Sequence, residues 1–478
     1  MAVRDQALWG LVEPAIRDAL EKMARAVAEG KKIDSYDSYP AVENKEGEIF
    51  PAFKNQYRVP DFRKVFGWEK GSFNSRPFTY EGIQGFAEVV SYVKSQSRYA
   101  SFLGAERTKS SDLLTEMAEF GARGLILEVA ARHADVRGFE WDEEYALSRY
   151  LEMEAWWHGG KLPVDIFVPL LNVSFEDDRI QLSDSASIEQ ITDDQHQARV
   201  IGLKTFERDN WIVRAYTHAL VIRGSASIEW PFLMGREQWD VFPYDQIDRA
   251  VQAMSILTPD PTGYDQVCFI PAGWSHGYQR TLPRVTHAFS ADRYDRKVSR
   301  EQFSPTEILS SAQGTQVADL HRALEAAHPQ VSLAARRLQL ASLREDELDE
   351  IVDLCVGIEA LLGGTTAGDT TYKLGIRGAA VLARADYQKS EKVAQLIKKV
   401  YAYRSNIVHG QVKYEKKRIV PLDGKNFLAT DIAELLLREI LTAMLREPDL
   451  ISKIDNDRVI FELFDNRGRT DAAPIEAG

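Results

Sequence analysis

The chain has 478 residues, too many for one hydrophobic core, and at roughly 150 residues per domain it should divide into about three. Hydrophobic residues at 44 %, charged ones at 27 % and only two cysteines, Cys268 and Cys355, exclude a collagenous or low-complexity chain, a disulfide framework and a thiolate zinc site. A net charge of −13 excludes a general nucleic-acid coat, because phosphate binding needs a basic surface that displaces counterions. The N-terminus has no basic start followed by an apolar block, and no run of about 18 apolar residues occurs, so a soluble, cytoplasmic protein without membrane contact is expected.

Residues 1–160 read mainly as helix, with amphipathic runs over 6–29, 80–93 and 111–132 around a Pro- and aromatic-rich stretch at 35–78. Gly159, Gly160 and Pro163 then separate a helical pattern from a strand pattern. From 161 to 303 the β-branched and aromatic segments VDIFVPLLNVSF, QARVIGLKTF, NWIVRAYTHALVIRGSASIEW and QVCFIPA predict a β-sandwich or mixed sheet, interrupted by one helix at 244–257. Ser304-Pro305-Thr306-Glu307 has the spacing of a capping box and should open a C-terminal all-helical domain over 304–450, with 451–478 as a tail. Its expected helices are 333–343, 346–362, 371–385, 389–409 and 429–446, with Gly363-Gly364 and Gly410 as stops. The fold class expected is α+β and multidomain: an N-terminal helical domain, a central β-rich domain and a C-terminal helical bundle.

The helix expected at 389–409 carries the chemistry. Val393, Leu396, Ile397, Val400, Tyr401, Ile407 and Val408 form one apolar stripe, and Arg404 falls within it. A guanidinium on a buried face needs a carboxylate, a phosphate or an interface. His409 follows five residues later, about 140° around the axis, so within a regular helix the two side chains diverge. Two routes would join them: Gly410 lets the last turn unwind, or two copies of the helix cross at a twofold axis. Together they suit metal-independent RNA cleavage, the histidine passing protons and the arginine holding the phosphate while the RNA's own 2′-hydroxyl attacks. Spacing alone equally fits a structural arginine beside an exposed, helix-capping histidine. In the window 386–420, nine lysine and arginine residues face three acidic ones, a basic island that makes Lys398, Lys399, Lys416 and Lys417 the candidate RNA contacts. On the helix expected at 346–362 Glu359 sits on the apolar side with Leu348, Ile351, Val352, Cys355 and Leu362, and it needs a cation. Arg377, on the neighbouring helix, is the favoured partner, which would leave Arg404 free for phosphate; Arg404 itself is the alternative.

The segment ALLGGTTAGDTTYKLGIRGAAVLARADYQKSEKVAQLIKKVYAYRSNIVHG, with the Ile358-Glu359-Ala360-Leu361 that overlaps its start, resembles the ApeA-like branch of the HEPN superfamily over about 120 residues. The family's arginine and histidine, with four to six residues between them, match Arg404 and His409, which have four between, and Ser405 stands where a stronger polar residue is often found. The resemblance implies a helical bundle, a homodimer through the motif helices and endoribonuclease activity centred on Arg404 and His409. Ser405, Asn406, Glu359 and Arg377 would take supporting roles. It also implies service in antiviral defence, abortive infection or a toxin system, with a phage-derived or other protein trigger; other members bind RNA or scaffold partners without cutting. No cofactor and no metal are called for.

Other constellations are read as structural. His276 and His287 lack companions for a four-ligand metal set. Glu176-Asp177-Asp178 and Asp193-Asp194 look like solvated turns, and Trp156-Trp157-His158 like a domain-junction cluster. The glycines at 363–368 lack the lysine of a phosphate loop and read as a flexible connection.

Overall fold

The computed structural model describes residues 2–37, 40–54, 58–66, 82–102, 111–201, 211–228, 243–260, 262–279, 281–294, 308–364, 370–384, 390–410 and 414–465. The fold is α+β. Helix α1 (Gln6–Ala28) starts where Asp5 accepts from Leu8 N at 3.0 Å. Two short antiparallel pairs follow, β1 (Ser35–Asp37) with β4 (Arg58–Pro60) and β2 (Ala41–Glu43) with β3 (Ala52–Lys54). Helices α2 (Phe86–Ser95), α3 (Ser97–Phe102), α4 (Ser111–Arg137) and α5 (Glu143–His158) complete an apolar cluster built on Val12, Ile16, Leu20, Val89, Ile126 and Tyr150. The Pro- and aromatic-rich stretch therefore contributes strand pairs at its edges, and residues 67–81 lie outside the described residues.

The β-rich segment forms one six-stranded, wholly antiparallel sheet rather than a sandwich. Its strands are β5 (Gly160–Leu171), β6 (Arg179–Gln181), β7 (Ala186–Gln190), β8 (Tyr216–Ile228), β9 (Gly263–Pro271) and β12 (Thr286–Tyr294), in the order β12-β9-β5-β8-β7-β6. The small pair β10 (Tyr278–Gln279) and β11 (Leu282–Pro283) stands apart from it. β5 is buried on both faces over 166–171, where its apolar run is continuous, and the period of two sorts it. Leu162, Val164, Ile166, Val168 and Leu170 face one cluster, and Phe167 and Leu171 face a smaller one with Tyr216, Ala219 and Cys268.

Two expectations are corrected here, and a third lies outside the described residues. Residues 197–201, expected as strand, belong to helix α6 (Asp193–Ile201), and Thr192 and Gln195 exchange the two bonds of a capping box at its start. Asp193-Asp194 therefore lies in the first turn of a helix. The capping box at 304–307 lies outside the described residues; the one observed pairs Ser310 with Gln313 at the start of α8 (Ser311–Glu325). Glu176 and Asp177 accept from Ser311 N at 3.2 Å and Ser311 Oγ at 2.7 Å, so these acids dock that helix rather than merely face water.

Helix α7 (Tyr244–Leu257) and α8 cover one face of the sheet. The chain continues through α9 (Pro329–Ser342), α10 (Glu347–Leu362), α11 (Thr370–Arg384), α12 (Ser390–Val408) and α13 (Ala429–Arg446). These helices and the sheet share one apolar cluster running from β5 to Leu463, so the expected divide near residue 303 coincides with no break in the core. The stretch expected to be all helix also carries a hairpin, β13 (Ile419–Leu422) and β14 (Lys425–Leu428). Its two-residue turn uses Asp423 at φ 49° and Gly424 at φ 79°, the left-handed pair such turns need. Residues 450–465 are not a tail: α14 (Leu450–Lys453) and α15 (Asp457–Asp465) place Ile451, Ile460 and Leu463 in the same core. No helix among the described residues is long and apolar enough to cross a membrane.

Candidate functional site

Helix α12 lies against α11, α10 and α13. Val393, Leu396, Ile397 and Val400 are at most 4 % exposed, so the stripe read from the sequence is buried within one chain. Val408 departs from it at 51 % exposed. Close approach of α11 and α12 depends on Gly378, where a Cβ would stand 2.4 Å from Ile397 Cδ1 and 3.1 Å from Leu362 Cδ1.

Arg404 occupies the edge of this buried face. Its side chain is 24 % exposed, its Nη2 lies 3.7 Å from Glu359 Oε1, and its guanidinium stands 5.7 Å from the Tyr401 ring centre. The separation from Glu359 exceeds a hydrogen bond, and Arg404 Nε is buried with no hydrogen-bond partner among the described residues. The Tyr401 hydroxyl is likewise buried and unpartnered. Behind them, burial pushes the Cys355 thiol up to about 12, partly offset by Arg404, so it stays protonated.

The expected Glu359–Arg377 pair is not formed. Arg377 Nη2 meets Asp455 Oδ1 at 2.5 Å, and its Nη1 donates to the Leu362 and Gly363 carbonyls at 2.8 Å each. Arg377 thus ties the end of α10 to the segment before α15, and Glu359 is left facing Arg404. The sequence offered two arginines at plausible positions; the contribution of Asp455, 78 residues further on, carried no local signal. Gly364, at φ 67°, admits this arrangement because a Cβ there would overlap Asp455 and Arg377.

His409 is exposed, and its ring makes no hydrogen bond or ion pair among the described residues. Its backbone N–H still bonds Ser405 O at 3.1 Å, so the last turn has not unwound. Arg404 and His409 therefore remain about 140° apart on one helix, and a single chain does not bring them together. Gly410, at φ 62°, ends the helix just beyond.

Ser405 is half-buried, and Asn406 is 7 % exposed with its Oδ1 accepting from Lys417 Nζ at 3.4 Å. Lys398, Lys399, Lys416 and Lys417 are all exposed. Lys399 reaches the Pro421 carbonyl at 3.5 Å and Lys392 pairs with Asp423, so the hairpin lies along α12. Glu347 holds this end together, accepting from Tyr403 Oη at 3.1 Å and from Arg418 Nε at 2.8 Å. Nothing in the sequence distinguished Glu347 from any first-turn acid.

Compared with family models, curated proteins and solved structures, the chain matches none. The functional reading accordingly stands on the residues.

The remaining candidates have structural surroundings. Trp157 is 2 % exposed in the N-terminal core, and His276 lies 6.2 Å from both the Trp156 and Trp274 rings. Burial lowers the His276 pKa to about 4, which keeps its ring neutral. The His287 side chain lies outside the described residues.

Proposed function

We propose that this protein is a HEPN-type, metal-independent endoribonuclease whose catalytic residues are Arg404 and His409. The observation that carries the reading is the state of Arg404, held half-buried on a helix packed from three sides, 3.7 Å from its carboxylate and with Nε unpartnered. A guanidinium fixed in place but loosely satisfied can take a phosphate bidentately. Because His409 lies on the far side of the helix, the reading places the cutting cleft between two copies, Arg404 from one and His409 from the other. The contact would be made at the C-terminal end of α12, where Val408 and His409 are exposed, since the apolar stripe is already covered. The 2′-hydroxyl would pass its proton to His409 as its oxygen bonds phosphorus. The bond to the 5′-oxygen breaks, that oxygen takes a proton, and Arg404 stabilises the crowded phosphate. On this reading residues 304–450 form the effector, and residues 1–160 and 161–303 sense a trigger of protein or phage origin and restrain it.

The test is digestion of total RNA by the purified protein in chelator. Products with 2′,3′-cyclic phosphate and 5′-hydroxyl ends are expected, with activity lower by about two orders of magnitude in His409→Ala and Arg404→Lys. Mixing those two inactive variants should restore about a quarter of the activity, since half the dimers would each hold one intact site. Ends bearing 5′-phosphate, or a strict magnesium requirement, would overturn the mechanism. The divergence of Arg404 and His409 within a chain favours a second reading, an RNA-binding or scaffolding protein that does not cut; RNA binding without scission by the native protein would decide for it.

A further inference from the structure

The exposed face of α12 continues onto α11. Lys398, Ala402, Ser405 and His409 succeed one another at steps of four, three and four residues, one straight line along the helix. At the Lys398 end of that line stands Tyr372, an aromatic residue of α11 with 56 % of its surface exposed. Lys398 Nζ lies 5.7 Å from its ring centre. Lys398 runs across α11 one turn from Tyr372: a Cβ added at Gly375 would stand 3.7 Å from Lys398 Cε and 3.8 Å from Ala394 Cβ. These are ordinary van der Waals distances, so the lysine stem packs over α11 beside Gly375. Beyond Lys398 the same face turns to Gln395 and Glu391, joined by a 3.1 Å hydrogen bond, so the cationic part ends there.

A single exposed aromatic is ordinary on a protein surface. This one is aligned with a lysine and with the histidine of the proposed cutting site, at the border of the basic island of a chain whose net charge is −13. We propose that the Tyr372–Lys398–Ser405–His409 face is a track for single-stranded RNA, with an unpaired base stacking on Tyr372 and a phosphate held by Lys398. Eleven residues separate Lys398 from His409, a rise of about 16 Å, so the stacked base lies about three to five nucleotides from the phosphate at His409. A protruding ring takes a base only where that base is unpaired, which makes duplex RNA a poor ligand. The direction of the track rests on the nuclease reading; the stacking site itself does not.

The experiment measures binding of a labelled oligoribonucleotide of about a dozen nucleotides by fluorescence anisotropy, in the His409→Ala protein so that the probe stays whole. Tyr372→Ala should weaken binding by about 5- to 100-fold and Tyr372→Phe should bind as the parent does. A single abasic nucleotide walked along the probe should weaken binding at one position, and at that position Tyr372→Ala should add no further loss. A duplex of the same sequence should bind more weakly than the single strand. Unchanged binding by Tyr372→Ala, an abasic penalty spread evenly over all positions, or displacement of the RNA from Lys398 by an acidic peptide at lower concentration than by unlabelled RNA would overturn the track. Dependence on Tyr372 in a native protein that never cuts would retain the track and remove the nuclease. Cutting that needs His409 but ignores Tyr372 would do the reverse.

Discussion

Arg377 and Arg404 lie on adjacent helices and do different things. Arg377 is 6 % exposed and satisfies two carbonyls that the end of α10 leaves open, as well as Asp455. Removing it leaves the two carbonyls without that donor and takes a cation from Asp455, so Arg377→Met should cost about 2–4 kcal/mol of unfolding free energy. Arg404 and Glu359 are 24 % and 32 % exposed at 3.7 Å, and solvent screens them; Glu359→Gln should cost less than about 1 kcal/mol. Urea denaturation of the two variants measures the contrast, and equal losses would show that Arg404 is structural in the same sense as Arg377. The need of each buried charge for a partner was legible in the sequence, because helical periodicity put Glu359, Arg377 and Arg404 on apolar faces. Which partner each takes was not. Pairing depends on how helices rotate against one another, and on Asp455 arriving from a segment expected to be a tail.

At the level of helices, boundaries followed local chemistry closely. The expected helix at 389–409 is α12 (Ser390–Val408), and the one at 346–362 is α10 (Glu347–Leu362) with Asp346 as its cap, accepting from Leu348 N at 2.8 Å. The misreadings had signals of their own: Thr192-Asp193-Asp194-Gln195 carries a capping box, and Asp423-Gly424 is a hairpin turn. What no local rule supplied is the spacing between helices. Gly378 sets it for α11 and α12, so Gly378→Val should force them apart and cost about 1–3 kcal/mol. Because the obstruction is Ile397, the double change Gly378→Val with Ile397→Ala should be less destabilised than the sum of the two single changes, by about 1 kcal/mol or more. Simple additivity would mean that the glycine matters for its backbone rather than for its clearance.

Over the whole molecule, several histidines are buried in the neutral form. Burial lowers the pKa of His196 to about 2 and of His276 to about 4, and it lowers that of His321, whose two ring nitrogens have no partner among the described residues. In the unfolded chain these rings titrate near 6.5, so as pH falls below that value the unfolded state takes up protons that the folded state refuses. Stability should therefore be full above about pH 6.5 and fall toward pH 4, by about 1.4 kcal/mol per pH unit for each histidine held neutral. Denaturation at pH 7.5 and 5.5 checks this, and His276→Asn should flatten the slope by about one proton's share; a slope unchanged by that variant would remove His276 from the account. The single core joining the sheet to the C-terminal helices bears on signalling. Close-packed side chains are stiff, so a shift of the sheet would be passed through the shared core toward α12. A partner that pulled on β5 or β8 would move the Arg404 helix as one lever moves another. The same continuity means that cutting the chain near residue 303 would expose the apolar faces of α7, α8 and the sheet, leaving an insoluble fragment instead of a free-standing helical bundle.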